Sequence, residues 1–563
     1  MIDAQLKLQP DASRYTLPRF LDDVCERHGE RTALRFAGRG QSYAELRREA
    51  RCLARGLAAR GVVKGARVAL LMANRPEWVS AAFAISLLGG VLVPVNTFAP
   101  PEERDYILRH GDASVLLLQC ELLKHRFLDD LLAVHPEIAA AAPGRIRCPT
   151  LPSLRSVFAL GATAAQGAAE PWSALESAAA EFPEPLVDAL AAEVTPSDDA
   201  LIIYTSGTTS RPKGVLHMQR APVIQSWRFA EYMGLAADDR VYTAQPFFWT
   251  AGICMSLGAT LAAGSTLLLQ EHFEAGAALE CIERERATTV HAWPHQEKSM
   301  AEHPSAAGRD LRSVRRVEFS SPLASLAGIE KDDWGTYGAY GLSETFTVAT
   351  MLPCWAPAAL RKRTSGKLLP GMSLRIVDPE AGTPLAPGMK GEIAVKGLTF
   401  MRGYYKVEPE RVVDPDGFFR TQDGGRFDDQ GLLHWSGRLG NLIKTGGANV
   451  SPLEIEECLR RYPGLKAAHA VGVPHPTLGE AIVLCAILVN PHAEPDPEAI
   501  RAFLRERLSA YKVPKAVLAF RPEEVGYTGN QKVQLAPLRE KALEKLSAAG
   551  IEIEGHSYAL RSS

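Results

Sequence analysis

Residues 204–214 read Tyr-Thr-Ser-Gly-Thr-Thr-Ser-Arg-Pro-Lys-Gly and follow the apolar run Leu201-Ile202-Ile203, so they form a loop leaving a buried strand. Serine and threonine supply five hydroxyls at Thr205, Ser206, Thr208, Thr209 and Ser210, around Gly207 and ahead of Lys213. Little in this string can pack in a core, and much of it can bind an anion. Glycine lets backbone N–H groups approach the anion, hydroxyls donate to its oxygens, and the lysine offsets its charge. The chemistry indicated is the binding of a polyphosphate. The ordinary P-loop, GxxxxGK[ST], is excluded because Pro212 stands where that pattern needs glycine, and Gly214 follows Lys213.

Such a loop needs a scaffold, and the chain is long enough for several. Its 563 residues suggest two to four packing units. Lys and Arg total 63 against 65 acids, a formal charge of −2, which gives no reason to expect a nucleic-acid partner or a strongly anionic membrane. The nine cysteines contain no CxxC pair, so neither a zinc knuckle nor a disulfide framework is expected, and a reducing, cytoplasmic setting fits. The first residues lack the basic, then apolar, pattern of a secretory signal. The apolar window 78–95 is broken by Gly89-Gly90 and Pro94, so it reads as a helix, a turn and a strand instead of a transmembrane segment; peripheral membrane contact is left open.

Helical and strand patterns alternate through the first two hundred residues. Ser42-Tyr-Ala-Glu45 is a capping box opening a helix with Leu46, Ala50, Leu53, Ala54 and Leu57 on one face, and Val68 to Leu71 reads as a buried strand. Residues 91–95 and 115–118 repeat the strand pattern, with a helix from about Pro101 between them. This alternation implies mainly parallel sheets covered by helices. Ala-rich stretches at 138–142 and 162–180 read as a surface insertion without chemistry. A further strand-helix-strand unit spans 240–269, with residues 246–252 (Pro-Phe-Phe-Trp-Thr-Ala-Gly) at its turn. Between 374 and 419, glycines and prolines cut the pattern into short β segments, a compact sheet or distorted barrel. After 437–441 a small α/β module restarts. There Ser451-Pro-Leu-Glu454 joins a capping box to a proline at the first helical position, and Pro497 opens a helix bearing Ile500, Phe503, Leu504 and Leu508.

With these elements in place, the string 204–214 resembles the phosphate-binding signature of the acyl-adenylate-forming enzymes, the group of acyl-CoA synthetases, peptide-synthetase adenylation domains and luciferases. Further motifs follow in family order. Residues 339–345, Ala-Tyr-Gly-Leu-Ser-Glu-Thr, resemble the YGxTE element with serine in place of threonine. The resemblance implies that Tyr340 stacks on adenine, Ser343 bonds phosphate, and Glu344, with Thr205, holds Mg²⁺. Thr421-Gln-Asp-Gly-Gly425 implies that Asp423 accepts from the ribose hydroxyls, and Gly437-Arg438 implies a ribose contact by Arg438. Two positions on, Gly440 replaces the usual Asp or Lys hinge residue and widens the backbone's range. Lys444-Thr-Gly446-Gly447 resembles the loop forming the channel for the CoA thiol arm, and residues 527–533 the motif whose lysine, here Lys532, reaches the α-phosphate. Asn530-Gln531 separate Gly529 from that lysine, unlike the common pattern.

The resemblance also implies an acid pocket behind Phe248 and Trp249, near Phe319 and beside Thr345 and Phe346. Trp249 occupies the position where amino-acid-activating members carry an Asp that pairs with the substrate ammonium, which argues for an apolar or aromatic acid. Phe319 stands where glycine is common. Residues 290–296 border this region, and His291 and His295 lack a third partner for a metal.

The expected architecture is α/β. Residues 1–438 form an adenylate-forming domain of helix-covered, mainly parallel sheets with a β-rich subdomain at about 365–436, and 439–563 form a small mobile α/β domain. The expected activity is ATP-dependent joining of a hydrophobic acid (fatty, aryl or steroid-like) to CoA through an acyl-adenylate, with ATP, CoA and Mg²⁺ required. A homodimer is one assembly that the sequence leaves open. The rival readings are delivery of the acyl group to a carrier protein and a non-catalytic nucleotide or acyl binder.

Overall fold

The computed structural model describes residues 14–205, 211–439, 442–490, 493–526 and 533–558. An eight-stranded sheet runs in the order Gly403–Tyr404, Lys213–Met218, Asp199–Thr205, Val91–Pro94, Arg67–Leu71, Val115–Gln119, Ser156–Leu160, Ala169–Pro171. From Asp199–Thr205 to Ala169–Pro171 every pairing is parallel, while the two strands at the other edge pair antiparallel. A five-stranded sheet, in the order Thr289–His291, Arg240–Thr243, Thr266–Leu269, Thr32–Phe36, Arg39–Ser42, is parallel except for its last pair. The parallel α/β character expected from the alternation is therefore present.

Helix Tyr43–Ala59 forms where the capping box implies. Glu45 N donates to Ser42 Oγ at 3.1 Å and Ser42 N donates to Glu45 Oε2 at 2.8 Å. Its stripe of Leu46, Ala50, Leu53, Ala54 and Leu57 is buried. Helix Pro76–Leu87 is apolar on all sides because both faces are covered; at 12 residues it is only about 18 Å long. No helix among the described residues is long and apolar enough to cross a membrane.

The Ala-rich stretches are at the surface only in part: Ala139, Ala140, Ala142, Ala164 and Ala165 are exposed, but other residues of the same stretches are in the core. Ile138, Ala168 and Ala169 are buried in the core beside the eight-stranded sheet, and Ala169–Pro171 is that sheet's last strand. The buried His135 hydrogen-bonds Asp105 through Nε2 and Thr150 Oγ1 through Nδ1 at 2.9 Å, tying this segment to the sheet's helices. Helix Ser173–Ala178 packs on Tyr43–Ala59 so closely that a Cβ on Gly56 would lie 2.2 Å from the Leu175 carbonyl oxygen.

Four antiparallel strands, Met372–Val377, Gly391–Gly397, Phe419–Phe427 and Leu433–Arg438, make the β-rich unit. Beyond them, Ala448–Val450, Ile443–Thr445, Gly479–Leu488 and Leu465–His475 form a sheet, with Ala516–Ala519 parallel to Gly479–Leu488. Its residues alternate between two cores. Ile482, Leu484 and Val517 pack with helices Pro452–Leu459 and Pro497–Arg505, whereas Val483, Cys485 and Leu518 pack under Leu535–Ala548. Pro497 does open its helix, with Asp496 as the cap, and Ile500 and Leu504 are buried. The capping box expected at Ser451 is absent although Pro452 is at the first helical position, because Glu454 is hydrogen-bonded to Lys512 Nζ at 2.7 Å.

Gly56→Ala is predicted to destabilise the protein by about 1–3 kcal/mol, since the new methyl must displace backbone. Gly308→Ala, at a glycine with open space around it, is predicted to leave stability unchanged, and thermal melts of the two variants check the contrast.

Candidate functional site

The strand pairing fixes the mouth of the hydroxyl-rich loop. Thr205 ends one strand and Lys213 begins the next, and the two residues are paired antiparallel, so the loop closes between adjacent strands. Ser206, Gly207, Thr208 and Thr209 lie outside the described residues. On its other edge Lys213–Met218 pairs with Gly403–Tyr404, Val215 opposite Tyr404. This puts the Lys213 ammonium 4.9 Å from the Tyr404 ring centroid, and the Tyr404 hydroxyl donates to Glu344 Oε1 at 2.6 Å. Tyr404 was not identified from sequence, because only strand pairing brings it between Lys213 and Glu344.

The turn carrying Ser343, Glu344 and Thr345 is braced from beneath. His217 is fully buried, and its Nε2–H donates to the Ser343 carbonyl at 2.8 Å. Burial pushes its pKa down to about 3, so it works as a neutral donor. Gln225 Nε2 donates to the Thr345 and Val348 carbonyls at 3.0 and 2.7 Å. Thr345 is itself buried, with its hydroxyl turned back to the Leu342 backbone. Phe346 and Thr347 follow at φ +48° and +93°, left-handed values that cost a non-glycine residue on the order of 1–3 kcal/mol each. Gly341 admits this fold-back, since a Cβ there would lie 2.1 Å from the Thr347 carbonyl oxygen.

A second group sits between the four-stranded sheet and a three-stranded one made of Ala339–Tyr340, Thr350–Met351 and Lys367–Leu368. Tyr340 donates its hydroxyl to Asp423 Oδ2 at 2.8 Å, and Trp435 Nε1–H donates to Asp423 Oδ1 at 3.2 Å. Asp423 is 3% exposed. Arg438 is its partner in the strand register; the Arg438 side chain lies outside the described residues.

Aromatic rings line the region behind residues 246–252. Phe98 meets Phe248 edge-on at 5.4 Å, Phe248 meets Trp249 at 5.0 Å, and Trp249 meets Trp293 at 5.3 Å. After Gly252 the chain continues as a π-helix, Gly252–Gly258, a wide turn common at binding sites. Phe319 is 38% exposed, on a turn.

The turn between strands Ile443–Thr445 and Ala448–Val450 lies against this aromatic set. Gly446 and Gly447 have φ of +55° and +84°, and a Cβ on Gly447 would be 2.7 Å from Trp293 Nε1. Lys444 Nζ is 5.6 Å from the Trp435 ring centroid. Gly440 and Lys532 lie outside the described residues. On either side of residues 527–532, Gln534 N donates to the Gly526 carbonyl at 2.8 Å, and Val525, Val533 and Leu535 pack in the core under Leu535–Ala548. Thr205, Lys213, Glu344, Tyr340 and Asp423 thus reach the site from three sheets and one turn.

Comparison with known proteins gives the same arrangement a family. Residues 21–405 match the model of the AMP-binding enzymes, and 454–532 match the model of the AMP-binding enzyme C-terminal domain. A feruloyl-CoA synthase of Amycolatopsis sp is 33% identical, covering 86% of this chain and 91% of its own. An indoleacetate–CoA ligase of Aromatoleum aromaticum is 31% identical, covering 92% and 96%. Among solved structures, the amide bond synthetase McbA from Marinactinospora thermotolerans superposes with a TM-score of 0.73 at 28% identity, covering 93% of this chain and 99% of its own. The chain belongs to the AMP-binding enzymes, the acyl-adenylate-forming superfamily, in its AMP-forming acid–CoA ligase branch.

Proposed function

We propose that this enzyme activates a hydrophobic carboxylic acid carrying an aromatic ring. A carboxylate oxygen attacks the α-phosphorus of ATP, and the bond to the bridging oxygen breaks to release pyrophosphate. The CoA sulfur then attacks the acyl carbonyl, AMP leaves, and the thiol proton passes to solvent. Bringing one anion up to another makes positioning and charge stabilisation the protein's main work. The observation that carries this reading is the convergence of Thr205, Lys213 and Glu344 about Tyr404. Lys213 and residues 205–209 would hold the outer phosphates, Ser343 the phosphate beside them, Tyr340 the adenine, and Asp423 with Arg438 the ribose. The acid itself is already ionised at neutral pH, so no general base is required.

A divalent ion fits the donor set. The Glu344 carboxylate and the Thr205 hydroxyl are hard oxygen ligands of the kind Mg²⁺ takes beside phosphate, and the ion would offset phosphate charge. Lys532 would reach the α-phosphate in the first step, and Lys444, Gly446 and Gly447 would border the thiol's path in the second.

The acid is inferred from the rings. Phe98, Phe248, Trp249 and Trp293 supply edges and faces for an aryl group and no charge for an ammonium. The names of the feruloyl and indoleacetate relatives support the same class. A second reading, transfer of the acyl group to an amine, is favoured by the likeness to the amide bond synthetase. Product analysis with CoA and with an amine, using ferulate, indoleacetate and octanoate as acids, decides between them, and the present reading predicts aryl acyl-CoA.

Two variants test the roles. Lys532→Ala is predicted to lower acid-dependent ATP–pyrophosphate exchange by about a hundredfold or more while sparing thioester formation from pre-made acyl-adenylate; equal loss of both steps would remove Lys532 from the first. Tyr404→Phe, which deletes the hydrogen bond to Glu344, is predicted to slow exchange by roughly tenfold to a hundred-and-fiftyfold, in line with about 1.5–3 kcal/mol for a bond to a charged group. Steady-state exchange at varied ATP measures it.

A further inference from the structure

The 3₁₀ turn Ala510–Lys512 of the second α/β unit is inserted into the first. The Lys512 ammonium is 1% exposed and donates to Glu103 Oε2 at 3.2 Å and to Glu454 Oε1 at 2.7 Å. Ser509 Oγ donates to the same Glu103 oxygen at 3.2 Å. The Tyr511 ring meets Trp249 edge-on at 6.0 Å, adding a ring from the second unit to the aromatic set. Glu103 belongs to helix Pro101–His110 and Glu454 to helix Pro452–Leu459, so a single ammonium joins the two units.

We infer that this turn is the key that holds the second unit in the pose for thioester formation, with Lys512 and Glu103 as positioning residues of the second half-reaction. The inference rests on the two-step reading above. Three observations carry it. First, in this pose the Gly446–Gly447 turn lies on Trp293, beside the acid's rings. Second, the flanks of Lys532 pack on the opposite face of the sheet from Pro452–Leu459 and Pro497–Arg505, whose side carries the inserted turn. On the reading that Lys532 acts in the first step, that step would use a different pose of the second unit, without the Lys512 contacts. Third, Glu454 gives up its place in a capping box to bind Lys512, a local rule broken in favour of a contact between units.

The charges suit a contact that must both form and release. Burial alone would lower the affinity of Lys512 for its proton, and the Tyr511 phenol with the carboxylates of Glu103 and Glu454 raises it above the ordinary lysine range. Burial raises the pKa of Glu454 in the same cluster. Desolvating three such groups offsets much of their attraction, so the contact selects a pose strongly and stabilises it modestly.

Glu103→Gln tests this, because it removes the charge that joins the units and leaves the Lys512–Glu454 pair inside the second unit. Each half-reaction is measured separately, with whichever of ferulate, indoleacetate and octanoate gives the fastest exchange. The expected result is a loss of about tenfold or more in thioester formation from pre-made acyl-adenylate and CoA, with ATP–pyrophosphate exchange within twofold of the parent and an unchanged melting temperature. A parallel loss in both half-reactions, or no loss in either, overturns the inference. Absence of exchange in the parent protein would instead fail the activity, and the inference with it.

Discussion

Strand Lys213–Met218 is hydrogen-bonded on both edges, and the rest of the site depends on that pairing. One neighbour ends in Thr205 and the other in Tyr404, so the register alone carries a lysine, a threonine and a tyrosine to the mouth of one loop. Met401 N, just before Tyr404, donates to the Glu344 carbonyl at 2.7 Å, and the carboxylate of that same glutamate accepts from Tyr404. A polyanion can be bound tightly only where its donors are fixed before it arrives, because orienting them afterwards would consume the binding energy. A sheet supplies that rigidity, whereas the loop by itself would not.

The same need explains the strain nearby. The left-handed Phe346 and Thr347 persist because Gln225 holds both flanking carbonyls and His217 holds Ser343. His217 is kept uncharged by burial, so it donates one hydrogen bond without adding charge to the site. Backbone strain of this kind, braced from several directions, is what a preorganised turn requires.

Much of this was legible in the sequence wherever the cause is local. The Ser42 capping box, the buried stripe of its helix and the βα alternation depend on neighbours within a few residues, and they form as read. The order of hydroxyls, Gly207 and Lys213 was enough to indicate an anion, and family resemblance supplied Tyr340, Glu344 and Asp423. What escaped was set by distant partners. Ser451 fails to build its box because Lys512, 58 residues from Glu454, takes that carboxylate. Tyr404 and His217 look like ordinary strand residues until pairing places them, and the buried part of the Ala-rich stretches follows from Ala169–Pro171 joining the distant edge of the eight-stranded sheet. A glycine-tyrosine pair in a short strand was the one available signal for Tyr404, and it is weak.

The central claim is that the acid's own oxygen becomes part of AMP, since the carboxylate attacks phosphorus and the bond later cleaved lies between the acyl carbon and that oxygen. Turnover of an acid labelled with ¹⁸O in its carboxylate, with CoA and ATP, followed by mass spectrometry of the nucleotide product, tests it most directly. The account predicts one labelled oxygen in AMP for each thioester formed; label absent from AMP, or appearing in inorganic phosphate with ADP as the other product, would contradict it.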